Sequence, residues 1–138
     1  MKILIVEDEM VSREKLRVIL DPVAVCDDVP DGESALEAFK KAWEIRAPYD
    51  VIMLDINLPS MSGMDVIMEI REMEKQMDLP KLKSTNIIMT TSNAERDYLI
   101  TCMTAGCNGY VIKPFTKHII YRALHDVYST MSFLDEGL

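Results

Sequence analysis

Val51-Ile52-Met53-Leu54-Asp55 is the stretch that decides the fold. Four apolar residues run without alternation and stop on an acid. A strand covered on one face alternates apolar with polar residues, whereas a strand covered on both faces does not. The same unit recurs outward in both directions. Further short, β-branched or apolar runs stand at 3–6, 23–25, 87–89 and 110–112. Amphipathic stretches separate them. Residues 14–20 place Leu16, Ile19 and Leu20 on one side, and 33–45 carry Leu36, Phe39, Ala42 and Trp43. Residues 64–73 carry Ile67, Met68 and Ile70, and 94–105 carry Tyr98, Leu99, Cys102 and Met103 before Gly106 as a stop. Residues 117–131 carry Ile120, Leu124, Val127 and Met131, with Thr116 placed to cap after Pro114-Phe115. Five strand–helix units predict an α/β fold, an open parallel sheet with helices on both faces.

Composition agrees with one such domain. The chain has 138 residues, 49% hydrophobic and 28% charged, which excludes a disordered or fibrous chain. Against 15 Lys and Arg stand 23 Asp and Glu, a net charge of −8. That surface repels phosphate backbones and anionic lipid, so neither nucleic acid nor a membrane is expected as a direct partner. No apolar run reaches the roughly 18 residues of a membrane span. The apolar opening is cut at Glu7, Asp8 and Glu9, too early for a signal-peptide core, and a cytoplasmic protein is expected. Cys26, Cys102 and Cys107 form no C-x-x-C pair and are expected to be buried and reduced. His118 and His125, without a nearby Cys, make a poor metal site. The eleven Met are expected to fill the core. Residues 76–85 and 132–138 read as irregular, the latter as a short tail after a domain covering 1–131, with no output domain.

In a sheet of this kind ligands bind beyond the carboxyl ends of the strands. There the sequence puts Glu7 and Asp8 after the first strand and Asp55 at the end of the third. Thr90, Thr91 and Ser92 close the fourth, and Lys113 follows the fifth. Two unit charges about 4 Å apart repel by about 1 kcal/mol in water and about 4 kcal/mol at an effective dielectric of about 20. Three carboxylates in one crevice therefore call for protons or a cation. A hard divalent ion such as Mg²⁺ suits an all-oxygen site and leaves positions for phosphate oxygens. With Lys113 as a point charge and Thr91 as a hydroxyl donor, the set suits a phosphoryl group.

These residues resemble a family, the receiver domain of bacterial two-component response regulators. The matching pieces are Ile3-Leu4-Ile5-Val6-Glu7-Asp8, Asp31-Gly32-Glu33-Ser34-Ala35-Leu36, Asp55-Ile56-Asn57-Leu58-Pro59-Ser60-Met61-Ser62-Gly63, Thr91-Ser92, Ala105-Gly106-Cys107-Asn108-Gly109-Tyr110 and Lys113-Pro114-Phe115. They span residues 2 to about 130. The resemblance implies a flavodoxin-like, doubly wound five-stranded sheet of order 2-1-3-4-5. It implies that Asp55 takes a phosphoryl group from a phosphohistidine on a sensor histidine kinase or histidine phosphotransfer protein. Glu7, Asp8, Asp55 and the backbone carbonyl of Asn57 would hold Mg²⁺, and Lys113 and Thr91 would contact phosphoryl oxygens. Tyr110 would change rotamer with Thr91, and Asn57 and Asn93 would tune the lifetime of the acyl phosphate. Glu7 stands where many members have Asp.

The function expected is thus a single-domain signalling switch phosphorylated on Asp55 rather than an enzyme. Its downstream protein target would bind a face made of the fourth helix, fifth strand and fifth helix. The same face could pair copies of the chain as a phosphorylation-dependent homodimer. A receiver cut from a longer regulator is the alternative. A receiver kept only for binding is disfavoured by the presence of Asp8, Asp55, Thr91 and Lys113. An aspartate-nucleophile phosphohydrolase needs an acid two residues after the nucleophile, where this chain has Asn57. A flavin carrier needs a phosphate-cradling loop where this chain has Glu7-Asp8-Glu9.

Overall fold

The computed structural model describes residues 1–79, 83–93 and 95–136, with 128–136 described by backbone alone. Strands and helices alternate from one end to the other. They are β1 (Lys2–Val6), α1 (Met10–Leu20), β2 (Val25–Val29), α2 (Gly32–Glu44), β3 (Val51–Asp55), α3 (Gly63–Gln76), β4 (Asn86–Thr91), α4 (Arg96–Ala105), β5 (Gly109–Ile112) and α5 (Lys117–Glu136). All strand pairs are parallel, and the sheet order is β2-β1-β3-β4-β5. This is the expected doubly wound α/β sheet.

The period of two along each strand sends successive side chains to opposite faces. Leu4, Ile52, Leu54, Ile87 and Met89 meet Phe39 of α2, Ile67 and Ile70 of α3 and Cys102 of α4. Ile3, Ile5, Val51, Met53 and Ile88 meet Leu16 and Leu20 of α1 and Ile120 and Leu124 of α5. Every residue of β3 is buried, which is why its sequence does not alternate. All three cysteines are buried and free, as expected.

Local chemistry sets the helix ends. Asp31 caps α2 by accepting from Ser34 N–H at 2.8 Å, and Ser62 caps α3 by accepting from Asp65 N–H at 3.2 Å. Thr116 Oγ1 accepts from Ile119 N–H at 3.3 Å, the cap its sequence predicts. Gly106 ends α4 with φ 118°, where a Cβ would lie 2.9 Å from Arg71 Cγ. Glycine satisfies both demands.

Several expectations shift. β2 lies at Val25–Val29 rather than 23–25, so it includes Asp27 and Asp28. As a sheet edge it tolerates polar residues, and both acids have partners. The Tyr49 hydroxyl donates to Asp27 at 2.6 Å, and Arg17 pairs with Asp28. α1 starts at Met10, four residues before the period becomes visible, because Met10 and Val11 face solvent. Met53 and Met89 are buried and Met61, Met64 and Met73 pack against the core, but Met1, Met10, Met68, Met77 and Met103 are exposed, against the expectation that Met fills the core. The Met131 side chain lies outside the described residues. α5 continues through Glu136, so the expected boundary between 131 and 132 falls inside one helix, and Gly137 and Leu138 lie outside the described residues. In the 76–85 stretch, Gln76 still belongs to α3 and Thr85 is buried, while residues 80–82, like Ala94 at the expected start of α4, lie outside the described residues.

Candidate phosphoryl and metal site

Strand register brings the site together. Val6 is beside Leu54, Asp55 beside Thr90, and Thr91 beside Ile112. The residues that end or follow these strands therefore emerge side by side. Glu7, Asp8 and Asp55 each offer a carboxylate oxygen, and these oxygens all lie within 4.8 Å of one another. Glu7 is 1% exposed and Asp55 4%, while Asp8 faces solvent.

Lys113 reaches into the cluster from beyond β5. Its Nζ donates to Glu7 Oε1 at 2.8 Å and to Asp55 Oδ2 at 3.2 Å. The Lys113–Pro114 peptide beside it is cis. Burial alone would lower the lysine's pKa, but its bond to Glu7 and the charge of Asp55 outweigh burial and raise it. The other oxygen of Asp55 accepts from Asn57 N–H at 3.0 Å, which closes a turn around the acid. Gly63 allows the following helix to approach. A Cβ there would lie 2.6 Å from Ile56 Cα and 2.7 Å from the Asp55 carbonyl oxygen.

One ammonium does not neutralise three carboxylates. The Glu7 pKa is pushed up to about 7, first by burial and then by the neighbouring Asp55 carboxylate, with Lys113 pulling the other way. Glu7 Oε2 is buried with no hydrogen-bond partner. An orphaned oxygen on a buried carboxylate that clusters with two other acids fits a hard cation with oxygen ligands.

Around this centre, Thr91 is fully buried and its Oγ1 accepts from Asn93 N–H at 3.0 Å. Asn57 is exposed, and Tyr110 is 45% exposed on the far side of β4 from β3. Tyr110 helps to line a groove of about 560 Å³ with Arg96, Leu99, Ile100, Met103 and Thr104 of α4. Tyr98 of α4 packs against the core shared by α2, α3 and α4. Burial raises its pKa, and its surroundings include Cys102, Thr91 and Asp55. Arg13, a polar residue that the sequence reading passed over, also touches the site's frame. Arg13 donates to the Glu7 carbonyl at 3.0 Å and pairs with Asp28 at 3.7 Å. The sequence held no signal for it, because the helical period becomes visible only from residue 14 and so leaves Arg13 outside the helix.

A family model for the response regulator receiver domain matches residues 3–125. The chain belongs to the receiver domain family. Among curated receiver-family relatives, it is 32% identical over 135 residues to a chemotaxis protein CheY homolog of Campylobacter jejuni, covering 96% of this chain and 95% of that protein. It is 31% identical over 130 residues to the chemotaxis protein CheY1 of Helicobacter pylori, covering 94% and 98%. Solved structures agree. The chemotaxis response regulator CheY4 of Vibrio cholerae superposes with a TM-score of 0.75 at 28% identity, over 91% of this chain and 97% of that one. The receiver domain of a sensor histidine kinase from Pseudomonas aeruginosa superposes with a TM-score of 0.74 at 30% identity, over 91% and 94%, and has a magnesium ion coordinated in its active site cleft. Among the described residues of this receiver, no helix is long and apolar enough to cross a membrane.

Proposed function

We propose that this receiver is a Mg²⁺-dependent phosphoacceptor switch that works in the cytoplasm and signals by changing its affinity for another protein. The observation that carries the reading is the pairing of one lysine with two buried strand-end acids, one of which keeps an orphaned oxygen. Asp55 is the nucleophile. Its carboxylate oxygen attacks the phosphorus of a phosphohistidine on a sensor kinase or phosphotransfer protein. A P–O bond forms as the P–N bond breaks, and the imidazole nitrogen leaves with the electron pair. Glu7, Asp8, Asp55 and the main-chain carbonyl of Asn57 would hold Mg²⁺, which supplies positive charge for the phosphoryl oxygens when bound. Lys113 donates to a phosphoryl oxygen in place of its present bond to Asp55. Thr91 is within the same strand-end row and donates its hydroxyl once that oxygen arrives.

The reaction changes the protein rather than turning over a substrate. Asn57 stands where a phosphohydrolase of this type needs a general acid, which supports a switch over an enzyme. The groove between α4 and β5 that Tyr110 borders is the surface best placed to report the change. Movement of Thr91 toward the phosphoryl group frees space that Tyr110 takes by turning inward, which reshapes this groove for a target protein. The CheY-type relatives, matched over almost their whole length, support this mode of output. The test is transfer from a phosphohistidine donor with Mg²⁺ or with a chelator. Label moving to the wild-type protein only when Mg²⁺ is present supports the reading; equal transfer with the chelator contradicts it.

A further inference from the structure

The β1–α1 loop carries two of the three clustered carboxylates, and the two are held very differently. Glu7 is buried against Lys113. Asp8 is exposed, and among the described residues no hydrogen bond or ion pair restrains its side chain. The position of its carboxylate is therefore decided by the main chain that bears it. That main chain is tied down on both sides of Asp8, at Glu7 and at Glu9, whose carbonyl accepts from Arg13 N–H at 2.9 Å. Glu7 N–H donates to the Val29 carbonyl at 3.1 Å, and the Glu7 carbonyl accepts from Arg13 Nη1 at 3.0 Å. The Glu7 carbonyl and the Asp8 N–H belong to one planar peptide unit. Fixing that carbonyl fixes the plane from which the Asp8 side chain springs.

Arg13 completes the first turn of α1, which contains no acid. A cation there opposes the helix dipole, so helix stability does not account for it. Helical side chains lean toward the N-terminus, which carries the guanidinium back over the Glu7 carbonyl. Its other side is held by β2, where Nε lies 3.7 Å from Asp28 Oδ1. Arg17, one turn further along α1, pairs with the second oxygen of Asp28. Asp28 adjoins Val29, the residue that accepts the Glu7 N–H. The end of β2 thus buttresses the loop twice, once directly and once through Arg13.

We infer that Arg13 is a positioning residue that holds the Glu7–Asp8 peptide so that Asp8 faces the cation site. The inference rests on reading the acidic cluster as a Mg²⁺ site. Positioning and plain electrostatics give opposite signs. Arg13 places a positive charge beside a site for a cation, so charge alone predicts that removing it tightens Mg²⁺ binding. Loss of positioning predicts weaker binding.

The experiment is calorimetric titration of Mg²⁺ alone into wild type, Arg13→Met and Arg13→Lys, with melting of each metal-free protein recorded alongside. Arg13→Met is expected to raise the Mg²⁺ Kd by about 10-fold, in line with other residues that orient metal ligands. Arg13→Lys keeps the charge but not the guanidinium fork, and is expected to weaken binding by less than Arg13→Met does. An unchanged or lower Kd in Arg13→Met overturns the proposal, whatever happens to the melting temperature. Should Arg13→Met fail to fold, an unchanged Kd in Arg13→Lys overturns it instead. A wild-type protein that takes up no Mg²⁺ overturns the metal reading itself, whereas wild-type uptake with unaltered variants overturns the role of Arg13 alone.

Discussion

Asp8 and Glu7 are neighbours in sequence with opposite surroundings, and that contrast gives two predictions. Asp8 is exposed and adds charge to a crowded site. Replacing it by Ala relieves repulsion in the metal-free protein and removes a proposed metal ligand. The melting temperature of metal-free Asp8→Ala should hold or rise, while the increase produced by Mg²⁺ should shrink. A clear fall in the metal-free melting temperature would give Asp8 a structural role instead. Glu7 is the opposite case, with a folded-state pKa raised from 4.5 to about 7. A carboxyl raised in the folded state binds its proton more tightly there than in the unfolded chain. Its stabilising contribution is complete below pH 4.5 and is lost as pH rises toward 7. Comparing wild type with Glu7→Gln in metal-free melts from pH 4.5 to 8 isolates this slope, which should be absent in the variant. With Glu7 as a proposed ligand, Mg²⁺ would displace the same proton, so its binding should weaken below about pH 7. Both acids, with Asp55, Thr91 and Lys113, were legible in the sequence because each follows a recognisable apolar run. The raised pKa of Glu7 was not, since it depends on burial and on Asp55, 48 positions away, outweighing the opposing pull of Lys113.

At the scale of elements, the ties between helices decide rigidity. Arg71 on α3 donates to the Gly106 carbonyl, the Thr85 carbonyl, Glu74 and Asn108, and so joins α3 to the start of β4 and the α4–β5 turn. Glu74 is 4% exposed and also accepts from Thr85 N–H at 2.7 Å. Arg71→Met would leave that carboxylate buried without its cation, and should cost about 2–3 kcal/mol. Urea denaturation measures it, and a loss below about 0.5 kcal/mol, the scale of an exposed pair, would show that the network is idle. The same scale shows where sequence reading stops. The central strands declare themselves because both their faces are buried. β2 does not, because Asp27 and Asp28 interrupt its apolar run and take partners from Tyr49 and Arg17 that only tertiary structure supplies. α1 hides its first turn for a similar reason, since Met10 and Val11 are apolar yet exposed. Tyr98 packs inward with the other periodic residues of its helix, whereas Tyr110 borders the open groove, which its apolar run does not reveal.

Across the whole molecule, the account requires the strand-end acids to communicate with the groove beside Tyr110. Thr91 is the proposed link, buried at the end of β4 in register with Ile112 of β5, two residues past Tyr110. Thr91→Ala should leave phosphorylation largely intact and blunt the change in target affinity. Coupling of this kind is worth about 1–3 kcal/mol, roughly 5–150-fold in Kd. Titrating a target protein with phosphorylated and unphosphorylated forms of both proteins measures it, and an equal response in Thr91→Ala would contradict this route. All of this depends on where the phosphoryl group is bound. Reduction with borohydride converts an aspartyl phosphate to homoserine, which peptide mass spectrometry locates in the chain. After treatment with acetyl phosphate and Mg²⁺, homoserine should appear at position 55 of the wild-type protein and nowhere in Asp55→Asn. Homoserine at position 8 of the wild type, or a phosphoryl label retained by Asp55→Asn, would contradict the account.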